Sequence, residues 1–463
     1  MLFENTDLSC HHTAKTHATQ SDFPESNRTL RESQARIPSG CSKLSRLDIV
    51  DKVKGLIFGA VLGDCLGLAT EGMTREQVEA VYGEGPIRFG LEDEDVTGVV
   101  GVPFIRDAYR SMFDDNDFGD DTDQQLLLVQ SLIHTGGVFN NKDFAKRLKD
   151  WSQHGLVALS KPPLGTGRAT QYTINHPAFE HDPHRAAADV WRSKHVLRSA
   201  NGAITRAPLL GVVKFWDGTT VIENSADCCR VTHSDPRSIA SCAIVSTLVA
   251  RMLRSQDTEY NDYPPSPTSS LSNPHYQDQM LRSPSNTPPL SNQDLVQNTA
   301  NKKYFIDTLS TDPCLLSLVD SAIEANQRCL TAPNTDPLFY SPETDQQLTQ
   351  SYYSQLLAHC YPPVNLESLA LDHTDDNQDV FKTLGAAIYG FTRQLPKGEQ
   401  TSSFKRILMD VVLQGGEADT NASVTGALLG LRMGYSMLPS EWVVGLKHWE
   451  WLEDCVEEFV ALL

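Results

Sequence analysis

Two residues with carboxylates and one with a hydroxyl follow a pair of glycines near the C-terminal end of the sequence. Residues 415–421 read Gly-Gly-Glu-Ala-Asp-Thr-Asn and run into a small-residue segment typical of a helix. The alternate spacing of Glu417 and Asp419 lets both acids point to one side of an extended loop, and Thr420 or Asn421 can cap the following helix. Hard oxygen ligands of this kind suit Mg²⁺, Mn²⁺ or Ca²⁺ better than zinc.

A second acidic segment occupies residues 114–123. An EF-hand interpretation fails because position five is Phe118 and position twelve is Gln125. Residues 124–134 predict a strong helix closed by two glycines, so Asp120 and Asp121 lie at a helix N-terminus. One acid is enough to cap the helix or to interact with the helix dipole. This segment carries several acids, so a functional site is the alternative interpretation.

A third segment places acids among small residues. Residues 53–68 carry a helical stripe of apolar side chains, which Asp64 and Glu71 continue. Gly59 and Gly63 in the same stretch let another backbone approach closely. An acid on such a face either accepts several buried hydrogen bonds as a structural hub or belongs to a functional site. We favour the structural hub for Asp64. For Glu71, which lies near the helix end, we favour a role in a functional site.

Three polar turns precede further helices. Residues 165–167 read Gly-Thr-Gly, a weak phosphate-binding signal for which a plain turn is the favoured interpretation. Residues 201–202 form an Asn-Gly turn that enters a helix, and His233 lies in a polar loop before another. A lone histidine in such a place is more often a cap or a surface residue than a catalyst.

Apolar periodicity predicts that helices position these residues along most of the chain. Alternation typical of strands is scarce, so we predict an all-α fold. The predicted helical segments cover residues 124–134, 141–151, 182–191, 238–253, 305–330, 346–360, 380–394, 403–413 and 440–463.

Composition indicates one large domain with disordered additions. Residues 1–46 lack hydrophobic periodicity and are predicted to form a disordered tail. Residues 47–463 form the predicted helical domain, interrupted by a Ser/Pro-rich insertion at about 255–302 that buries too little to fold.

Charge and targeting signals limit the classes of partner. The 463 residues carry a formal net charge of −20, which disfavours nucleic acid or an anionic membrane as the main partner. The N-terminus shows no secretory signal, and the longest apolar run, residues 55–69, is too short to span a bilayer. The ten cysteines are scattered, so we expect reduced thiols in an intracellular protein, cytoplasmic or nuclear. We also expect a monomer.

These motifs together resemble a known family. Residues 59–71, Gly-Ala-Val-Leu-Gly-Asp-Cys-Leu-Gly-x₃-Glu, resemble the first motif of the ADP-ribosylglycohydrolase family, which includes the dinitrogenase reductase-activating glycohydrolases. Residues 120–122, Asp-Asp-Thr, are similar to its second motif, and residues 416–427 to its third. The order of the motifs is the family's order. The segments at 201–206 and 232–236 also resemble family segments. The whole set of motifs resembles that of a divergent member of the family.

The resemblance implies a compact, orthogonal all-α bundle with two Mg²⁺ ions, or Mn²⁺, between helix ends. It also implies hydrolysis at ribose C1″ of an ADP-ribosyl group carried by a protein or a small conjugate. The implied metal ligands are Asp120, Asp121, Glu417, Asp419 and Thr420. The implied catalytic residues, beside the reacting water or ribose, are Glu71 and Asp121. The implied substrate-binding residues are Gly165, Thr166, Gly167, Asn201, Gly202 and His233.

The implied chemistry is coherent. If the carboxylates at positions 71, 120, 121, 417 and 419 converge, their pKa values rise unless cations are present, and two divalent ions offset most of that charge. Such ions orient ribose hydroxyls and a water, from which a carboxylate takes a proton. Backbone N–H groups of the glycine turns can meet a diphosphate without a basic surface.

Two departures from the family pattern favour an alternative. The family usually carries Thr or Ser where this sequence has Gly119, and Asp where it has Glu417. A metal shift of about 1 Å caused by the longer Glu417 can cost about a hundredfold in rate. The alternative function is therefore a catalytically weakened or inactive relative that binds ADP-ribose. A third hypothesis is a helical scaffold with acidic caps and no site.

Overall fold

The computed structural model describes residues 37–91, 100–194, 199–255, 310–331 and 342–463. Within these ranges the backbone forms α-helices and short 3₁₀ turns, with isolated β-bridges and no strand. The all-α prediction is therefore confirmed. No helix in these ranges is both long enough and apolar enough to cross a membrane.

The α-helices are numbered here in chain order. The first nine are α1 Arg46–Gly67, α2 Arg75–Tyr82, α3 Asp120–His134, α4 Asn141–His154, α5 Arg168–Ile174, α6 Pro183–Ser193, α7 Ala207–Leu210, α8 Gly218–Arg230 and α9 Pro236–Arg254. The others are α10 Pro313–Asn326, α11 Pro342–Cys360, α12 Leu366–Leu369, α13 Val380–Thr392, α14 Gln400–Val412, α15 Ala418–Met433, α16 Ser440–Gly445 and α17 Trp449–Val460. The 3₁₀ turns are Arg110–Met112, Val157–Leu159, Ile204–Arg206, Gln327–Leu330 and Tyr435–Met437.

Helices α1 and α15 form the centre of the molecule and touch backbone to backbone. A Cβ atom added at Gly59 would lie 2.2 Å from the carbonyl oxygen of Gly426, and one added at Gly426 would lie 2.0 Å from that of Gly59. At the end of α1, a Cβ at Gly67 would lie 2.3 Å from the Cα of Asp419. The pair is antiparallel, so the C-terminal end of α1 meets the N-terminal end of α15, where the acids lie.

Asp64 of α1 caps a neighbouring helix. Helix α3 has Gly119 at its N-cap, which offers no side-chain oxygen. The backbone N–H groups of Gly119 and Thr122 donate instead to Asp64 Oδ2, at 3.1 and 2.9 Å. This capping in trans satisfies N–H groups that a helix start leaves without partners. The hub interpretation of Asp64 is confirmed by these bonds.

Several predicted helix starts are wrong by a few residues. Helix α15 begins at Ala418 with Glu417 as its N-cap, so Thr420 and Asn421 lie inside the helix and do not cap it. Asn140, one residue before the predicted cap, accepts the first N–H bonds of α4. Residues 305–309 of the helix predicted for 305–330 lie outside the described residues; within the described ones this helix begins at Pro313, because the side chain of Asp312 caps it and proline suits a first helical position.

One continuous hydrophobic core joins the helices from α1 to the C-terminus. Residues 37–45, placed in the tail by the sequence pattern, precede α1, and Ile37, Cys41 and Leu44 pack against this core. Residues 1–36 of the predicted tail and 256–302 of the predicted insertion lie outside the described residues. The division into domain, tail and insertion stays a prediction.

Candidate active site

One cleft collects acids from all three sequence segments. Glu71 follows α1, Asp120 and Asp121 begin α3, and Glu417 and Asp419 begin α15. All five carboxylate-bearing residues line this cleft together with Thr420. The structure therefore brings together acids that lie about three hundred positions apart in the chain.

Backbone hydrogen bonds join the Glu71 loop to the glycine pair. Gly72 N–H donates to the carbonyl of Gly416 at 2.8 Å, and Gly416 N–H donates to the carbonyl of Met73 at 2.8 Å. Gly416 has a φ of +68°, and a Cβ there would lie 2.0 Å from the carbonyl oxygen of Leu371. A glycine is required at this position because both the backbone angle and the space exclude a side chain.

The carboxylate of Asp121 is held between two hydroxyl groups. Thr420 Oγ1 donates to Asp121 Oδ2 at 2.7 Å, and Thr205 Oγ1 donates to Oδ1 at 3.0 Å. Nearby, the backbone N–H of Asp419 lies 3.5 Å from Glu71 Oε2. These contacts tie α3, α15 and the loop after α1 into one acidic wall.

Burial disfavours the charged form of every acid in this wall, and repulsion from neighbouring carboxylates adds to the effect for all of them except Asp419. Burial, with the charge of Asp419, raises the pKa of Glu417 to about 7. The pKa of Glu71 and of Asp121 is raised well above its usual value, first by burial and then by Asp419. Burial raises the pKa of Asp120 in the same way, with Asp121 as the largest neighbouring charge. The cleft therefore has a strong preference for protons or other cations.

A second group of lining residues carries no carboxylate or other fixed charge, and we call it the neutral wall. It contains Gly165, Gly167, Asn201, Gly202 and His233, whereas Thr166 does not line the cleft. Burial, aided by the charge of a nearby arginine, lowers the pKa of His233 to about 3. The imidazole is therefore neutral near pH 7. A Cβ added at Gly202 would lie 3.7 Å from His233 Nε2, so the ring edge faces this turn.

Further residues line the cleft that the sequence analysis did not single out. Gln124 follows Asp120 by one helical turn, and its amide donates to Asp120 Oδ2 at 2.8 Å. That spacing of four is a signal that could have identified Gln124. Tyr109 lies in a loop with no periodic pattern, so nothing local in the sequence points to it. The remaining additions are Arg168, Ala169, Thr170, Ala200 and Gln378.

The acids line a shared cleft but do not surround a common point. Within the described ranges, no group of three or more His, Cys, Asp or Glu side chains is arranged to hold a metal ion. The donor chemistry nevertheless fits Mg²⁺, which takes oxygen ligands, keeps several waters and often uses one or two protein carboxylates.

A family model described as ADP-ribosylglycohydrolase matches residues 45–463, which is most of the chain. The chain belongs to the ADP-ribosylglycohydrolase family. The recognition from three ordered motifs is thereby confirmed.

Several individual proteins are similar to this ADP-ribosylglycohydrolase family member over part of its length. An uncharacterized protein of Archaeoglobus fulgidus is 25% identical over 43% of this chain and 55% of its own. A putative ADP-ribosyl glycohydrolase of Acanthamoeba polyphaga mimivirus is 31% identical over 21% of this chain and 30% of its own. The ADP-ribosylarginine hydrolase Tri1 of Pseudomonas putida is 23% identical over 45% of this chain and 49% of its own. The matches span about half or less of these relatives.

Among solved structures, an ADP-ribosylglycohydrolase-related protein complex is similar to this chain with a TM-score of 0.49 and 18% identity. The similarity covers 90% of this chain and 98% of the other.

The structure shows what surrounds the two departures from the family motifs. A Cβ added at Gly119 would lie 2.7 Å from Asp64 Oδ1, the oxygen of the capping carboxylate that accepts no N–H bond from the part of the chain that the structure describes. Glu417 lies at the N-cap of α15, where Gln378 hydrogen-bonds its carboxylate and the charge of Arg168 opposes the rise in its pKa. Glu417 is therefore part of the acidic wall, whereas Gly119 packs against Asp64 next to it.

Proposed function

We propose that this protein hydrolyses ADP-ribose conjugates by cleaving the glycosidic bond at ribose C1″ of the ADP-ribosyl group. The observation that carries the proposal is the meeting of the three motif segments in one cleft. The substrate is an ADP-ribosylated protein or a small ADP-ribose conjugate. The acidic wall faces the scissile bond, and the neutral wall faces the diphosphate and the ribose.

Two Mg²⁺ ions, with Mn²⁺ as a substitute, belong to this proposal. Asp120, Asp121, Glu417, Asp419 and Thr420 would hold them through carboxylate and hydroxyl oxygens. Burial and repulsion raise the pKa values of these acids, and bound divalent ions would remove that cost. When bound, such ions supply Lewis-acid polarisation to a ribose oxygen and to a water molecule.

The carboxylates of Glu71 and Asp121 have different roles in this proposal. Glu71 accepts the proton of the attacking water, a task for which a raised pKa is suited because a general base works best near the ambient pH. Asp121 is held at both oxygens by Thr420 and Thr205, so it keeps a fixed orientation toward the reacting ribose. Pre-orientation of this kind lowers the entropic part of the barrier.

The neutral wall supplies donors without adding charge. Gly165 and Gly202 line the cleft and have no side chain, so both expose backbone to it. Arg168 also lines the cleft, outside the neutral wall, and donates to Gln378 Oε1 at 3.3 Å. Backbone amides and this single guanidinium suit a diphosphate. Thr166, which does not line the cleft, is left out of the substrate-binding set.

The deciding experiment is release of ADP-ribose from arginine-linked, serine-linked, O-acetyl and polymeric substrates in the presence of Mg²⁺ or Mn²⁺. We expect release from at least one class and a loss of about 10² to 10⁴ in rate for Glu71→Gln. Asp114→Asn is the matched control because it makes the same acid-to-amide change at an exposed side chain outside the cleft. No release from any class with either metal would count against the proposal.

The second candidate is an ADP-ribose-binding protein without turnover. Gly119 and the longer side chain of Glu417 favour it, because Glu417 belongs to the acidic wall that would hold the ions and Gly119 directly precedes Asp120 of that wall. Calorimetry that detects ADP-ribose binding in a protein with no hydrolysis would support this candidate. Turnover gained by Glu417→Asp would then identify the extra methylene as the cause.

A further inference from the structure

A buried arginine lies behind the cleft and contacts both of its walls. Arg206 is 0% exposed and belongs to the 3₁₀ turn Ile204–Arg206. Its guanidinium lies 5.3 Å from the ring centroid of Phe144 and donates to Gln124 and Thr232. Within the described ranges all of these partners are neutral. Burying a cation among neutral acceptors costs free energy, which an orienting role for Arg206 would offset.

The first branch leads to the acidic wall. Arg206 Nη1 donates to Gln124 Oε1 at 3.2 Å, and a guanidinium can only donate. The oxygen of the Gln124 amide must therefore face Arg206, which turns its NH₂ group toward Asp120. That NH₂ group donates to Asp120 Oδ2 at 2.8 Å. Arg206 thus determines which end of the amide meets the carboxylate.

The second branch leads to the neutral wall. Arg206 Nη2 donates to Thr232 Oγ1 at 2.6 Å, so this hydroxyl accepts from the arginine. Among the described residues, the other atom within hydrogen-bonding distance of the hydroxyl is His233 Nδ1, at 2.7 Å. The hydroxyl proton therefore goes to Nδ1, which must be unprotonated. His233 is then the neutral tautomer with its proton on Nε2.

We infer that Arg206 is a positioning residue that orients hydrogen bonds on both walls, so that His233 presents Nε2–H to the cleft and Gln124 presents its NH₂ group to Asp120. The chain of contacts is Asp120–Gln124–Arg206–Thr232–His233, and its three central residues are each at most 2% exposed. An Nε2–H donor recognises an acceptor oxygen, such as a phosphate or ribose oxygen. That last step rests on the proposed function, whereas the tautomer does not.

The test uses ¹⁵N-histidine NMR on the full chain, because the two ring nitrogens have different shifts in the two neutral tautomers. The His233 signals are assigned by their loss in His233→Gln. We expect the pure Nε2–H pattern in the wild type and in Thr232→Ser, which keeps the hydroxyl. We expect a mixture of tautomers in Thr232→Val and in Arg206→Lys, whose single ammonium cannot reach both branches in the geometry of the fork.

Thr173→Val is the matched control. Thr173 is as buried as Thr232, and its hydroxyl donates to the backbone carbonyl of Thr232. Thr173→Val therefore replaces a buried hydroxyl by a methyl group, as Thr232→Val does, but leaves the side chain of Thr232 in place. We expect the wild-type tautomer in this control. If Arg206→Lys fails to fold, the Thr232→Val and Thr232→Ser pair decides the question. A wild-type Nδ1–H pattern, or a pure Nε2–H pattern in Thr232→Val, would overturn the inference.

Ligand binding separates this inference from the proposed function. By calorimetry, we expect Thr232→Val to bind ADP-ribose about tenfold more weakly than Thr232→Ser, the effect of losing one oriented hydrogen bond. Equal affinity of the two variants would overturn the role in binding. If the wild type neither binds nor cleaves ADP-ribose while the tautomer shifts as expected, the proposed function fails and the positioning role of Arg206 stands.

Discussion

The carboxylate of Asp64 occupies the space that a side chain at position 119 would need. One oxygen of Asp64 accepts the N–H groups that begin α3, and the other has no hydrogen-bond partner within the described residues. Burial, with the charge of Asp419, raises the pKa of Asp64 to about 7. Any side chain at position 119 meets the second oxygen, so a hydroxyl there requires a shift of the carboxylate that caps α3.

We predict that Gly119→Ala lowers the free energy of unfolding by about 1–3 kcal/mol, because its Cβ would lie 2.7 Å from Asp64 Oδ1. Denaturant unfolding measures the change. The control is Gly167→Ala, since Gly167 has an ordinary backbone conformation with no atom within 4 Å of the added Cβ. Equal stability of Gly119→Ala and the wild type would show that the space beside Asp64 is larger than the structure indicates.

At the scale of elements, the α1–α15 pair sets the position of the acidic wall. Gly55, Gly59 and Gly63 of α1 face the backbone of α15 so closely that an added Cβ at each would approach a carbonyl oxygen within 2.3 Å. Backbone atoms cannot rotate away as side chains do. The register of this contact therefore fixes how far Glu71, after α1, lies from Asp419, at the start of α15.

We predict that Gly426→Ala destabilises the protein by at least about 3 kcal/mol, because the new Cβ would lie 2.0 Å from the carbonyl oxygen of Gly59. Helix propensity alone predicts the opposite result, because alanine is a better helix former than glycine by about 1 kcal/mol. A loss of stability would therefore report the contact between the two helices. Thermal or denaturant unfolding measures the loss, again beside Gly167→Ala. A gain in stability would mean that the helix propensity of alanine outweighs the steric conflict with Gly59, and that α1 and α15 can move apart to admit the new methyl group.

At the scale of the whole molecule, the charge of the cleft depends on the complete fold. Its acids come from the loop after α1, the start of α3 and the start of α15, and the core that unites them spans the described chain. In the unfolded chain these carboxylates are solvated and titrate near their ordinary values. Folding buries them together, so stability and protonation are linked.

We predict that metal-free protein loses stability as the pH rises from about 4 to about 7. Folding raises the pKa of Glu417 from 4.5 to about 7 and that of Asp64 from 3.8 to about 7. A raised folded pKa contributes stability that is complete below the unfolded pKa and is lost as the pH passes through the folded pKa. Denaturant unfolding at pH 5 and pH 8 in a chelator measures the difference.

Two comparisons make this prediction specific. Asp419→Asn should flatten the pH dependence, because the charge of Asp419 raises the pKa of both Glu417 and Asp64. Excess Mg²⁺ should restore stability at pH 8 in the wild type, since an ion that binds only the folded state stabilises it by mass action. Stability that rises between pH 5 and pH 8 without metal would contradict the expected burial of these acids.

The local features of this protein follow from its sequence alone. Apolar periodicity predicts the helices because a helical face repeats every few residues, and the acids of the three motifs stand at the predicted helix ends. Those patterns, with their order, were sufficient to recognise the family and to name most residues that line the cleft. Net charge and composition added expectations about partners and compartment, which stay predictions.

The tertiary structure decided what depends on contacts between distant segments. It moved the start of α15 to Ala418, excluded Thr166 from the cleft, and added Tyr109 and Gln124. It also made Asp64 the cap of α3 and placed Arg206 between the two walls. The direction of a hydrogen bond and the pKa of a buried acid depend on neighbours that only folding supplies, so no local spacing in the sequence could have predicted them.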